Sequence, residues 1–127
     1  MKTSILASVV LMTLGAAGIG KANAQANADI GTIWNEQEAG WQGVWTRVGK
    51  SEKFQAVWTK GSNVVRANLQ VQVSGDSVFV FRDDTAGPGV GKGGCKYNGK
   101  ITGNAVTGQY TCQWSKGWLP WKATISR

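Results

Sequence analysis

Apolar and polar residues alternate with a period of two through most of the chain after residue 40, the signature of half-buried β-strands. In residues 63–73, Val65, Ala67, Leu69, Val71 and Val73 alternate with Arg66, Asn68, Gln70 and Gln72. Residues 53–60 set Phe54, Ala56 and Trp58 against Gln55, Val57 and Thr59. Between them, Gly61-Ser62 is a two-residue hairpin signal. Pairing Lys60 with Asn63 then places Phe54 opposite Leu69, Ala56 opposite Ala67 and Trp58 opposite Val65. An earlier strand, residues 41–48, carries Trp41, Gly43, Trp45 and Arg47 on one face and Gln42, Val44, Thr46 and Val48 on the other.

A second hairpin spans residues 95–112. Gly103-Asn104 suits a type II′ turn, and Thr102 facing Ala105 brings Ile101 to Val106, Gly99 to Gly108, Tyr97 to Tyr110 and Cys95 to Cys112. One register thus satisfies the turn, the apolar face and a disulfide. Residues 77–83, after Gly75-Asp76, are ambiguous. A plain turn buries Val78 and Val80 and exposes Phe79 and Phe81, whereas a bulge reverses the assignment. The last strand, residues 120–127, places Trp121, Ala123, Ile125 and Arg127 on one face. Seven or eight short strands without a convincing helix predict an all-β fold, a small antiparallel up-and-down β-barrel, with a small β-sandwich as the alternative. Gly99 opposite Gly108 favours the barrel, because paired glycines let a hairpin bend sharply.

Two stretches lack the alternation. Residues 25–40 read as an N-terminal arm, either loose or a short helical turn covering a barrel end. Residues 84–94, D-T-A-G-P-G-V-G-K-G-G, form a long Gly-rich connection of the kind that is functional or disordered, and a lid is expected of it.

The first 24 residues read as a secretory signal peptide. Lys2 precedes an apolar run over residues 5–20, and Ala22-Asn23-Ala24 is a small-x-small cleavage site, with Ala26-Asn27-Ala28 a second one. A retained anchor is disfavoured, since the run is short of the ~20 residues that span a bilayer. A periplasmic or secreted location follows, in which the two cysteines are expected as a disulfide. Residues 41–127 are then one barrel domain, expected as a monomer with no membrane span after cleavage. The formal charge of +7 falls to +5 when Lys2 and Lys21 leave, because all seven acidic residues follow the cleavage site. The basic residues are scattered rather than clustered, which argues against nucleic acid as a partner.

Gly43-Val44-Trp45 resembles the G-x-W entry of calycin-type barrels such as lipocalins and avidins. The resemblance implies a calycin-like barrel in which Trp45 closes one end and a basic residue of the last strand, here Arg127, packs across it through a cation–π contact. The wider pattern W-x-G-x-W-T-R-x-G-x-S-x-x-F-x-A-x-W, followed by a Cys-bracketed hairpin, resembles a small domain of exported bacterial proteins, from which no activity follows.

Catalytic chemistry has little material. The chain contains no histidine, which removes Ser–His and Cys–His dyads and the commonest metal ligand. A carboxylate pair of glycosidase type could draw only on Asp29, Glu36, Glu38, Glu52, Asp76, Asp83 and Asp84. These read as solvated acids of turns and of the arm. Asp83-Asp84 is a weak calcium signal whose adjacent side chains point apart. G-P-G-V-G-K lacks the spacing of a phosphate loop. No catalytic residue, metal site or cofactor is assigned.

The tryptophans say more. Trp41, Trp45, Trp58 and Trp121 fit inward faces as core. Trp114 and Trp118 flank Lys116 where a strand should turn, and Lys92 lies in the Gly-rich loop. All four are candidate contacts to a sugar ring, an aromatic ligand or a protein partner. Arg47, inward by parity, needs a carboxylate, backbone carbonyls or an acidic ligand. The expected function is an exported, non-enzymatic binding module with its site at the open barrel end, for an unknown small molecule. The alternative is a periplasmic protein-interaction or enzyme-inhibitor module using the rim and a Phe79/Phe81 patch. A lined cavity would favour the first reading and a solid interior the second.

Overall fold

Strand β1 (Ile33–Glu38) leads into β2 (Trp41–Arg47), β3 (Lys53–Lys60) and β4 (Asn63–Ser74). β5 (Ser77–Ala86), β6 (Cys95–Thr102), β7 (Ala105–Cys112) and β8 (Leu119–Ser126) follow. Each pairs antiparallel with the next, and β8 pairs back onto β1 from Ile33↔Ser126 to Glu38↔Trp121, so the sheet closes into a barrel. The structure, a computed structural model, describes residues 30–127. The expected signal peptide, residues 1–24, and Asp29 lie outside the described residues. No helix among those described is long and apolar enough to cross a membrane.

Local sequence sets most of the register. Lys60 pairs with Asn63 across Gly61-Ser62, and Thr102 with Ala105 across Gly103-Asn104, which brings Cys95 to Cys112, where the disulfide forms. Ser74 pairs with Ser77, so the plain turn holds. Val78 and Val80 are buried, and Phe79 and Phe81 stand half-exposed on the outer wall. A register shift between β4 and β5 does occur, at the far end of that pair near Arg66 and Ala86. There it leaves the valine parity untouched.

The barrel begins earlier than the alternation suggested. Residues 33–38 are not part of an arm; they form the strand that closes the cylinder, with Trp34, Glu36 and Glu38 inward and Ile33, Asn35 and Gln37 outward. Two of its three inward positions are acids, which hid its pattern.

An eight-stranded barrel is just wide enough for side chains to fill, and here aromatics fill one half. Trp45 stacks on Trp34 with centroids 5.6 Å apart and on Trp121 at 5.4 Å, and it meets Tyr97 edge-on at 5.6 Å. Such pairs add about 0.5–1.5 kcal/mol each beyond the area they bury. The end bearing the β2–β3, β4–β5 and β6–β7 turns is shut by Ile30, whose carbonyl accepts the Trp34 indole N–H at 2.8 Å. Arg47 belongs to this closed end: its guanidinium donates to the carbonyls of Ser51 (2.7 Å) and Lys50 (2.9 Å), tying down the β2–β3 turn. Arg127 is also here, exposed, donating to the Asn104 carboxamide (2.8 Å) and the Gly103 carbonyl (3.1 Å). The contact expected between Arg127 and Trp45 is therefore replaced. Trp45 is sealed by aromatic rings, and the arginine side chain is held by the β6–β7 turn at the surface.

Candidate ligand site at the open end

The opposite end carries the β1–β2 and β3–β4 turns and the two long connections, residues 87–94 and 113–118. The inward positions that reach it are Glu38 on β1, Trp58 on β3, Arg82 and Asp84 on β5, and Tyr97 and Tyr110 on the hairpin. Parity puts Arg82 and Asp84 inside with Val78 and Val80, and Asp83 outside. Four ionisable groups lie on inward faces in or beside this half, and each is nearly sealed from solvent: Glu36, Glu38, Arg82 and Asp84.

Arg82 is the hub. Its Nε and Nη2 form a two-pronged bond to Asp84 at 2.6 and 3.0 Å, and its Nη1 donates to Glu38 at 3.2 Å and to the Tyr97 hydroxyl at 3.0 Å. Tyr97 in turn donates to the other Glu38 oxygen at 2.5 Å. The guanidinium lies over Trp58, 4.2 Å from the ring centroid, with Trp114 at 5.9 Å. Burial alone would lower the Arg82 pKa; the Asp84 hydrogen bonds, with Tyr97 and Glu38, more than offset this and raise it. The guanidinium is a permanent cation of the site. Tyr97 is pushed above the ordinary phenol range by burial and then by the Glu38 charge, so its hydroxyl keeps its proton and donates.

Glu36 sits one inward position deeper. Trp58 donates its indole N–H to Glu36 Oε1 at 2.7 Å, and Oε2 has no hydrogen-bond partner. Burial, followed by the Glu38 charge, pushes this carboxyl up to about 10, so it is a neutral acid at physiological pH. Gly43 makes the bond possible. It lies between Glu36 and Trp58 in the sheet, and a Cβ there would come within 2.6 Å of both Glu36 Oε1 and Trp58 Nε1. The glycine of the G-x-W triplet is thus explained by a side-chain bond across it.

Above this floor the barrel stays open. A cavity of about 410 Å3 lies at this end, inside the ~300–1,000 Å3 range of small-molecule sites. Glu38, Arg82 and Asp84 contribute its polar surface. Trp41, Trp58, Tyr110 and Trp114 supply aromatic wall, and Pro88, Gly89 and Lys92 bring in the Gly-rich loop. That loop is seated on the site, since a Cβ on Gly89 would collide with the Asp84 carboxylate and the Trp114 ring. It returns to the barrel through Gln113 N–H to the Gly94 carbonyl at 3.0 Å, beside the Cys95–Cys112 disulfide. The cross-link clamps the rim where one long connection ends and the other begins.

Of the residues singled out from sequence, Trp114 and Lys92 line the cavity. Trp118 and Lys116 are exposed on the same connection but do not line it. Arg47 is at the other end, so the group of five does not converge. Sequence reading did not single out Arg82, and it took Glu38 and Asp84 for solvated acids of the arm and of a turn; all three are buried at the cavity. Two signals were available: the parity that puts Val78 and Val80 inside continues to Arg82 and Asp84, and Glu36 and Glu38 follow Trp34 at a spacing of two. Among the described residues no group of three or more metal-ligating side chains converges.

Fold and site together define a small disulfide-clamped β-barrel with one packed end and one hollow end. No protein-family model, curated protein or solved structure matches this chain, so its chemistry has to be read from this geometry.

Proposed function

We propose that this chain is an exported, non-enzymatic binding barrel that takes a small molecule into the cavity at its open end. The cavity carries the proposal: a lined hollow over buried, organised polar groups. Buried charges are expensive to keep; the closed end holds only Arg47, tied to backbone carbonyls, whereas the open end holds the whole Glu38–Arg82–Asp84 cluster. Export is supported by the leader-like N-terminal sequence and by the disulfide, which persists in oxidising compartments.

The non-enzymatic reading is supported by how the carboxylates are used. Asp84 spends both oxygens on Arg82, and Glu38 is shared between Arg82 and Tyr97. Glu36, whose carboxyl is held protonated by burial, does not line the cavity. An acid–base pair would need a proton-bearing carboxyl within reach of the ligand. Native mass spectrometry of protein purified from its own compartment is expected to show a non-covalent small-molecule adduct. A clean apo mass, with tryptophan emission unresponsive to a chemically diverse ligand panel, overturns the proposal.

A second reading, docking to a protein, draws on Phe79 and Phe81. They stand adjacent on one outward face of β5, 49% and 51% exposed, beside Gln70, Gln72, Lys96 and Asn98. Neighbouring exposed aromatics of this kind mark interaction surfaces. Phe79→Ser with Phe81→Ser should then abolish a partner captured from envelope extract while the cavity still binds its ligand. Capture that survives the double substitution sinks this reading.

A further inference from the structure

We infer that the ligand of the open-end cavity is a neutral, polyhydroxylated ring, that is, a saccharide unit. The inference rests on the cavity being a ligand site and adds the chemical class. Charge balance comes first. The groups facing the cavity are Glu38 and Asp84 against Arg82 and Lys92, two acids with two bases, and Glu36 behind them is a neutral acid. No net charge is presented, so the site has no Coulombic preference for an anion or a cation. The niche a cation would take, over the face of a buried tryptophan, is already filled by the chain's own Arg82, 4.2 Å from the Trp58 centroid.

Hydrogen-bonding capacity comes next. Arg82 uses four of its five N–H donors on Asp84, Glu38 and Tyr97, which leaves one. The Lys92 ammonium, exposed at the cavity, adds three donors. The Glu38 carboxylate, which lines the cavity, can accept further hydrogen bonds, since each oxygen can accept twice, whereas Asp84 lies under Gly89 and serves to hold Arg82. Donors and acceptors therefore stand side by side on a rigid cluster. A hydroxyl both donates and accepts, so vicinal hydroxyls match that surface, whereas a plain anion would meet the carboxylates and a plain hydrocarbon would strand the polar groups.

The third element is a flat apolar wall. Trp58 is covered by Arg82, but Trp114 is 45% exposed and Trp41 is half-buried at the rim. The C–H face of a pyranose packs on such a ring while its hydroxyl edge turns to Lys92 and the Arg82–Glu38 pair. Sugar recognition needs this combination of an aromatic platform with directional polar groups.

The test is a titration of the purified full-length mature protein with glucose, N-acetylglucosamine, maltose, cellobiose and chitobiose, followed by tryptophan fluorescence and calorimetry. Choline, benzoate and inorganic phosphate serve as cationic, aromatic-anionic and anionic comparators. At least one saccharide should shift the emission with saturation at millimolar concentration or below. Trp114→Ala should weaken it by about tenfold or more, and Trp118→Ala should leave it unchanged. Asp84→Asn should also weaken it, and Trp114→Ala guards against a folding defect in that buried variant because Trp114 is partly exposed. Saturable binding of a comparator without any saccharide response overturns the saccharide assignment and leaves the cavity as a ligand site. Saccharide binding that survives Trp114→Ala places the sugar elsewhere and also overturns it. Silence toward every probe, with an apo native mass, removes the ligand site itself.

Discussion

At the closed end, Ile30, Trp34, Phe54 and Trp45 meet as apolar side chains with at most 2% exposure. At the open end, inward positions of the same strands hold Glu38, Arg82 and Asp84 around Trp58. The apolar half gains from burial without needing any particular angle. The ionic half gives up hydration on three charges and recovers it only through the geometry of Arg82, each of whose three nitrogens is hydrogen-bonded. A hydrophobic replacement of similar volume is often as stable or more so. The difference teaches that the closed end is held by packing and the open end by the directed bonds of a buried ionic cluster.

The sharpest way to break that contrast is to truncate one ring in each half. Trp45→Ala should cost about 3–5 kcal/mol in urea unfolding, because the cavity left among Trp34, Trp121 and Tyr97 cannot collapse in a closed barrel. Its indole N–H has no partner, so the loss is one of packing alone. Trp114→Ala should cost less than ~1 kcal/mol, as surface truncations do. Equal losses would mean that the rim is a second core.

Arg82→Ala should destabilise by about 3 kcal/mol, since it leaves Asp84 and Glu38 buried without a counter-charge. Combining Arg82→Met with Glu38→Gln and Asp84→Asn should restore most of that stability while ligand binding stays lost. A triple variant as unstable as the single one would show that the ionic cluster stabilises in its own right. Cys112→Ser should cost roughly 3 kcal/mol by releasing a short loop in the unfolded chain. Scanning calorimetry reads that loss directly, and an unchanged melting temperature would remove the clamp from the account.

Protonation gives a finer cut. Glu36 has its pKa raised from 4.5 to about 10 on folding, so the native state binds more protons than the unfolded state between these values. Stability contributed by this group is complete below about pH 4.5 and declines as pH rises toward 10. Urea midpoints should therefore fall between about pH 5 and pH 9, and Glu36→Gln should flatten that slope. A slope that survives the substitution assigns the effect to another group. The smallest expected effect is at Gly89. Gly89→Ala should leave stability within about 0.5 kcal/mol but lift the loop from Asp84 and Trp114, raising amide exchange over residues 87–94. Unchanged exchange would mean that the loop does not rest on the site.

Legibility along the chain followed the kind of residue that faces inward. The β3–β4 and β6–β7 hairpins could be placed pair by pair, because their turns and their apolar faces agree. β1 could not: its inward acids read as solvent-facing, and only distant partners make them interior, Trp58 for Glu36 at 22 residues' separation, and Arg82 at 44 and Tyr97 at 59 for Glu38. Trp114 and Lys92 were legible as rim residues by their position in turns and loops. Arg47 misled because parity tells the face of a strand and not which end of a barrel it reaches.

The sequence by itself determined the strands from residue 41 onward, the tight turns, the registers of the β3–β4 and β6–β7 hairpins and the cysteine pairing, all of them consequences of period-two alternation and turn chemistry acting over a few residues. Only the tertiary structure decided that residues 33–38 close the barrel, that Gly43 is absent of a side chain so that Trp58 can reach Glu36, and that one end is hollow. Those outcomes depend on which strands become neighbours when the sheet closes on itself. A buried charge is recognisable as interior only when the opposite charge, far along the chain, arrives beside it.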